Sequence, residues 1–245
     1  VIEVGEAAGG KITMDLSGLL GGSASNSGSI DVSSADSIGG SVAIIGESVS
    51  NAGSIDASGA TGGGEVLIGG DYQGNNEELS NAQNTVVSGI ISADAVANGN
   101  GGRVIVWSDG DTQFNGSITA QGGGISGDGG FVETSGKNIE ITGLVTTLAE
   151  NGLVGTYFID PDDIEINDSI LSSAGSSAGY SLITTSTIDT NLDGGNVEIS
   201  TATHAGDGTT TDGGDIAIKS AISDTSGNRL TLTATDQIRM SGSGT

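Results

Sequence analysis

Along this chain a pair of glycines is repeatedly followed by one free residue and then by two apolar residues spaced two apart. The phrase stands at Gly39-Gly40-Ser41-Val42-Ala43-Ile44, at Gly63-Gly64-Glu65-Val66-Leu67-Ile68 and at Gly101-Gly102-Arg103-Val104-Ile105-Val106. It returns at Gly194-Gly195-Asn196-Val197-Glu198-Ile199 and Gly213-Gly214-Asp215-Ile216-Ala217-Ile218. A second phrase interleaves with it, at Gly53-Ser54-Ile55-Asp56-Ala57, Gly116-Ser117-Ile118-Thr119-Ala120 and Gly143-Leu144-Val145-Thr146. A short strand-and-turn unit cannot bury its own apolar face. Repeated along a chain, it buries that face by stacking on its neighbours, which makes a solenoid.

The apolar pairs have the period of a strand, so each pair points to one face. Val42/Ile44, Val66/Ile68, Val104/Val106, Ile139/Ile141, Ile164/Ile166, Val197/Ile199 and Ile216/Ile218 are expected to point inward. Leu230/Leu232 and Ile238/Met240 continue the pattern, and the residues between the pairs are expected to face water. No segment has helical period, so no helix longer than about two turns is expected. Equivalent positions are unevenly spaced: Ile30 to Ile55 is 25 residues, Ile55 to Ile91 is 36, and Ile91 to Ile118 and Ile118 to Val145 are 27 each. A constant strand phrase with varying spacing means constant coils joined by corner loops of different length. Gly pairs mark corners where φ turns positive or where coils approach closely. Asn, Ser and Thr at corners are expected to form hydrogen-bonded ladders between coils. The fold class read from this is all-β: a right-handed parallel β-helix, one continuous elongated domain over residues 1–245. It would have about ten coils and a length of roughly 50 Å.

Composition narrows the function. Thirty-one acidic against 6 basic residues give a net charge of −25. Such a chain cannot neutralise a row of phosphates, so nucleic acid is not expected as a partner. An anionic membrane repels it, and no apolar run of spanning length argues for membrane insertion. The charge does attract divalent cations and basic partners. There are no cysteines, which excludes disulfides and thiolate metal sites. Aromatic content of 3% suits a narrow core of Ile, Val, Leu and Ala. The chain starts at Val1 without an initiator Met or a signal-type stretch, so it is expected to be a segment of something longer.

Residues 62–166 resemble a known family. The phrases that carry the resemblance are Gly-Gly-Gly-Glu-Val-Leu-Ile-Gly-Gly-Asp-Tyr-Gln-Gly (62–74), Ile-Ser-Ala-Asp-Ala (91–95) and Gly-Asn-Gly-Gly-Arg-Val-Ile-Val-Trp-Ser-Asp (99–109). Gly-Asp-Gly-Gly-Phe-Val-Glu-Thr-Ser-Gly-Lys (127–137) and Ile-Asp-Pro-Asp-Asp-Ile-Glu-Ile (159–166) complete them. In this order they resemble filamentous-haemagglutinin-like exoproteins of bacterial two-partner secretion systems. The resemblance covers somewhat under half the chain; residues 1–61 and 167–245 share only the generic repeat. It implies a long right-handed β-helix, exported through an outer-membrane transporter by a secretion domain not visible here, secreted or held at the cell surface. It implies adhesion and no catalytic residues. On this reading the segment is a stalk that presents loops for adhesion or for filament or matrix assembly. Its partners would be a surface receptor or glycan, and open coil ends could self-associate end to end.

The longest insertion, residues 71–85, is the first candidate for a partner-binding loop, through Asp71, Tyr72, Gln73, Asn75, Asn76, Glu77 and Glu78. Asp160, Asp162, Asp163, Glu165 and Asp168 lie within nine residues. They read either as a solvated acidic corner or as a Ca²⁺ site, since several hard carboxylates suit that ion. No other cofactor is expected. Gly175-Ser176-Ser177-Ala178-Gly179 fits the spacing of a hydrolase nucleophile, with Asp189 and His204 following. The strand-to-helix context that would strain the serine is absent, so no catalysis is expected there. An enzyme acting on polysaccharides remains the alternative by fold analogy. The few aromatics, Trp107, Tyr72, Tyr157, Phe114, Phe131 and Phe158, are expected at coil ends or under loops. Asn115-Gly116-Ser117 and Asn167-Asp168-Ser169 are glycosylation sequons.

Overall fold

The computed structural model describes residues 2–3, 10–19, 21–168, 181–201 and 214–240. In chain order the first strands are β1 (Ile2–Glu3), β2 (Lys11–Asp15), β3 (Ser23–Asn26), β4 (Ser29–Asp31), β5 (Ser41–Ile45), β6 (Ser48–Asn51) and β7 (Ser54–Asp56). Then come β8 (Glu65–Ile68), β9 (Asn84–Val87), β10 (Ile90–Ser92), β11 (Arg103–Phe114), β12 (Ser117–Thr119), β13 (Phe131–Ile141) and β14 (Leu144–Thr146). The later elements are β15 (Thr156–Ile159), β16 (Ile164–Ile166), β17 (Ser181–Ile183), α1 (Thr185–Asp193), β18 (Asn196–Ser200), β19 (Ile216–Ile218), β20 (Leu230–Thr233) and β21 (Ile238–Met240).

The protein is mostly β, and its strand ladders are parallel. One thin sheet runs β1-β4-β7-β10-β12-β14, in chain order. Its register stacks Ile30 on Ile55, Ile55 on Ile91, Ile91 on Ile118 and Ile118 on Val145. These are the equivalences that the spacing of the second phrase assigns. The larger sheet has two faces. One stacks Val42, Val66, Val104 and Val132 through β5, β8, β11 and β13. The other stacks β3, β6 and β9 before meeting the second half of β11. The long strands β11 and β13 run through both faces, with a register shift between Ser108 and Asp111.

The inward side chains form one continuous core. All the expected inward pairs from Val42 to Ile199 are buried, as is Ile216. Ile218 is only half-buried and Ile238 and Met240 are exposed; among the described residues β21 is the last strand of its ladder. Tyr157 and Phe114 correct the expected placement of aromatics: both lie inside the core, with the Tyr157 hydroxyl 2.6 Å from Thr134 Oγ1. Corner ladders occur, Asn26 Nδ2 donating to Asn51 Oδ1 at 2.7 Å and Ser50 to Ser25 at 2.9 Å.

Close approach explains the second glycine of the first three pairs, Gly40, Gly64 and Gly102. A Cβ on Gly64 would stand 2.0 Å from the Gly40 carbonyl oxygen, and one on Gly102 would stand 2.2 Å from that of Gly64. Those carbonyls accept the hydrogen bonds that join the coils, Glu65 N to Gly40 O at 3.0 Å and Arg103 N to Gly64 O at 2.9 Å. Any side chain there would push successive coils apart.

The longest ladder, β2-β5-β8-β11-β13-β17-β16-β19-β21, has nine strands among the described residues. Three expectations need correction. The insertion ends before Asn84, since Asn84 and Thr85 belong to β9 and Thr85 is buried. Leu67, Ile105, Glu133, Phe158 and Glu165 alternate outward, yet all are buried. Finally, α1 is a nine-residue helix, about two and a half turns. Thr184 caps it by accepting from Thr187 N at 3.1 Å. Asn191 then fastens it to the end of the thin sheet, accepting from Val145 N at 2.7 Å and donating to Gly143 O at 3.2 Å.

Candidate functional site

The insertion over residues 71–83 does not hang free. It lies across the outer face of the ladder. Leu67, Ile105 and Trp107 form a small outer cluster there, against which Leu79 and Phe131 pack. Glycine makes room for the indole: a Cβ on Gly74 would fall 2.7 Å from Trp107 ring atoms, and one on Gly70 would fall 2.8 Å from them. Asn81 closes the far end by donating to Gly74 O at 3.0 Å and to Asp109 Oδ1 at 2.9 Å, the oxygen that also accepts the Trp107 indole N–H at 3.0 Å.

Arg103 anchors the near end. Its guanidinium donates to Glu65 Oε1 at 2.7 Å and to Asp71 Oδ1. Burial pushes the Asp71 carboxyl up, but hydrogen bonds from Asn76, the Tyr72 N–H and Arg103 outweigh it and hold the group below the usual carboxylate range. The turn Tyr72–Gly74 follows, with Gln73 at φ 53°, a left-handed conformation rare for a side-chain-bearing residue. That turn aims the Gln73 N–H at both Glu133 oxygens, each 3.3 Å away.

Glu133 is fully buried beneath it. Burial pushes its carboxyl up to about 8, and the negative charge of Asp160 adds to this. Hydrogen bonds from Ser135 and Gln73 and the charge of Arg103 pull the other way and do not compensate. Above Glu133, Tyr72 meets Phe131 edge to face with ring centroids 5.7 Å apart, and Phe158 at 6.1 Å. Tyr72 stays 40% exposed. Its phenol is pushed up by burial and by the charges of Glu133, Glu198 and Asp160. The arrangement offers an exposed ring, a half-exposed guanidinium and, at the tip, the exposed Asn75, Glu77 and Glu78. An aromatic face beside fixed donors and acceptors has the chemistry to meet a partner.

Of the expected loop residues, the structure brings Asp71, Tyr72 and Gln73 onto the outer face and uses Asn76 inside the loop, donating to Asp71 at 2.8 Å. The acidic segment is not a solvated corner. Asp160 and Glu165 are fully buried and Asp163 nearly so. Asp163 Oδ1 accepts from Gly214 N and Asp215 N, at 3.0 and 2.8 Å. Glu165 accepts from Asn167 and Lys219. Asp162 faces Lys137 at 4.0 Å, and Asp168 accepts from Thr185 N and Oγ1 at 2.8 and 2.6 Å. Asp162, Asp163, Glu165 and Asp168 diverge to separate partners, and among the described residues no group of three converges as a metal site. The Gly175–Gly179 motif and His204 lie outside the described residues, as does Ser169 of the second sequon; Asn115 of the first is exposed.

A groove of about 920 Å³ runs beside the site along the stacked Gly pairs, with Ile38 and Leu153 exposed on its rims. Residue types alone did not single out Arg103 or Glu133. The one signal was the 36-residue interval from Ile55 to Ile91, which leaves chain to spare for a cover. No protein-family model matches this chain, and no curated protein matches it.

Proposed function

We propose that the chain is a display segment: a right-handed parallel β-helix from a filamentous-haemagglutinin-like exoprotein, secreted through an outer-membrane transporter and acting at the bacterial surface. Right-handedness follows from the usual sense of parallel crossovers. The segment acts in adhesion or matrix assembly by holding the loop over residues 71–83 out from a stiff stack toward a surface receptor or glycan. It performs no turnover of its own.

The observation that carries this reading is the seating of the loop. Arg103 and Glu133, on neighbouring strands of one ladder, fix the loop's base, while Tyr72 and the tip stay open to solvent. A recognition loop held on a rigid scaffold loses little conformational entropy on binding. The test replaces residues 71–83 by a short corner and compares attachment of the folded variant with that of the parent. Attachment should fall at least tenfold. Unchanged attachment moves recognition elsewhere or makes the segment a spacer. The family reading is tested separately, by whether the parent gene encodes a secretion domain and lies beside a transporter gene.

A further inference from the structure

Glu165, Asn167 and Lys219 meet in a way that neither recognition nor simple charge pairing requires. Lys219 Nζ donates to Glu165 Oε2 at 2.5 Å, and Asn167 Nδ2 donates to Glu165 Oε1 at 2.6 Å. One carboxylate thus holds an amine and a side-chain amide together. It is fully buried, the amide is nearly so, and the lysine side chain is 37% exposed. On the adjacent strands the residues level with Glu165 are Leu182 and Ala217, so apolar side chains flank it.

The backbone fixes this meeting. Ile166 stands level with Ile218 on the adjacent strand, so Asn167 and Lys219 are the next pair along. Lys219 N donates to Ile166 O at 2.9 Å, and Asp168 N donates to Ser220 Oγ at 2.9 Å. These backbone bonds pin both residues beside the carboxylate they share. Reactants held in this way react as if at very high concentration.

We infer that Asn167 and Lys219 join in an intramolecular isopeptide bond, with Glu165 as the catalytic residue that moves the protons. Proton transfer from Nζ to Glu165 along their hydrogen bond frees the nitrogen lone pair. The amine nitrogen attacks Cγ of Asn167, and a C–N bond forms. Glu165 delivers its proton to Nδ2 and takes one from Nζ. The tetrahedral centre collapses, the Cγ–Nδ2 bond breaks, and ammonia leaves along the half-exposed lysine. One amide is exchanged for another, so no oxidant, cofactor or activated donor is needed. The product ties the coil that contains β16 to the coil that contains β19. This inference stands apart from the display reading and does not depend on it.

The test is the intact mass of the folded wild-type chain. It should lie below the sequence mass by one ammonia, and digestion should give a branched peptide joining the segments around Asn167 and Lys219. Lys219→Arg and Glu165→Gln should restore the full mass. A folded wild-type chain at full sequence mass after long incubation overturns the inference and leaves a buried ion pair with an amide neighbour. Ammonia loss that persists in Lys219→Arg also overturns it, since that loss would be cyclisation at Asn167-Asp168. The wild-type measurement needs no variant to fold.

Discussion

Strands β2 to β14 and strands β15 to β21 are built from the same phrases, yet they stack differently. In the first stretch spatial order follows chain order on the thin sheet, and each coil lays one strand on the strand before it. In the second, β17 enters between β13 and β16, and a helix stands where the thin sheet would have gained its next strand. From β5 to β14 the inward pairs are buried, with Met14 of β2 half-buried at the start; the second stretch ends with Ile218, Leu230 and Leu232 half-buried and Met240 80% exposed. Regular phrases therefore form a ladder in both stretches but are fully buried only where a further coil covers them. Where cover thins, buried polar contacts such as Asp163 with Gly214 and Glu165 with Lys219 join the coils instead.

The sharpest break of this comparison is one substitution made in each stretch. Val106→Asp puts an unpaired charge among fully buried side chains and should cost about 5 kcal/mol or more, enough to unfold the chain. Met240→Asp should change stability by no more than about 0.5 kcal/mol. Denaturant titration checks both, and comparable losses would mean that the two ends are equally covered.

The next effect is that of pH on the first stretch. The Glu133 carboxyl is raised from 4.5 to about 8 by folding, so the folded state stays protonated while the unfolded chain ionises. Stability should fall as pH rises from about 4.5 to 8 and level off above that, by on the order of 5 kcal/mol. General self-repulsion of the acidic chain acts in the same direction, so the control is Glu133→Gln. That variant should lose most of the slope; an unchanged slope would assign it to net charge alone.

Smaller again is Gly102→Ala. Its methyl group meets the Gly64 carbonyl and should cost about 1–3 kcal/mol. Gly18→Ala, with nothing within 4 Å of the added carbon, should be near neutral. Equal melting of the two variants would remove close approach as the reason for the Gly pairs. The smallest effect is spectroscopic. Trp107 is the only tryptophan, and shortening residues 71–83 should shift its emission to longer wavelength while the ladders stay folded. Emission that does not move would mean that something other than the loop shields the indole.

The register of the regular stretch was legible in the sequence, because period-two pairs and recurring Gly-Ser-Ile phrases state which residues stack. Ile30, Ile55, Ile91, Ile118 and Val145 fall on one another as their spacing requires. The site was legible only as a long interval. Alternation assigns Glu133 outward, and it is buried because a segment about sixty residues earlier folds over it, which no local pattern records. The helix was equally hidden. Thr185–Asp193 is rich in Thr, Asp and Asn, with Ile188 and Leu192 as its apolar pair. Those polar residues have weak helical preference, and packing against the sheet end supplies what propensity does not.

The contact between Asn191 and the thin sheet has a consequence for growth. A bare strand edge is a template on which any chain with free backbone groups can nucleate. Here the Asn191 side chain occupies an amide and a carbonyl of that edge, at Val145 and Gly143. Among the described residues no strand lies beyond β20 or β21, and α1 stands on the third side. A chain adding itself here would have to step around α1, which disfavours indiscriminate accretion of unfolded chain.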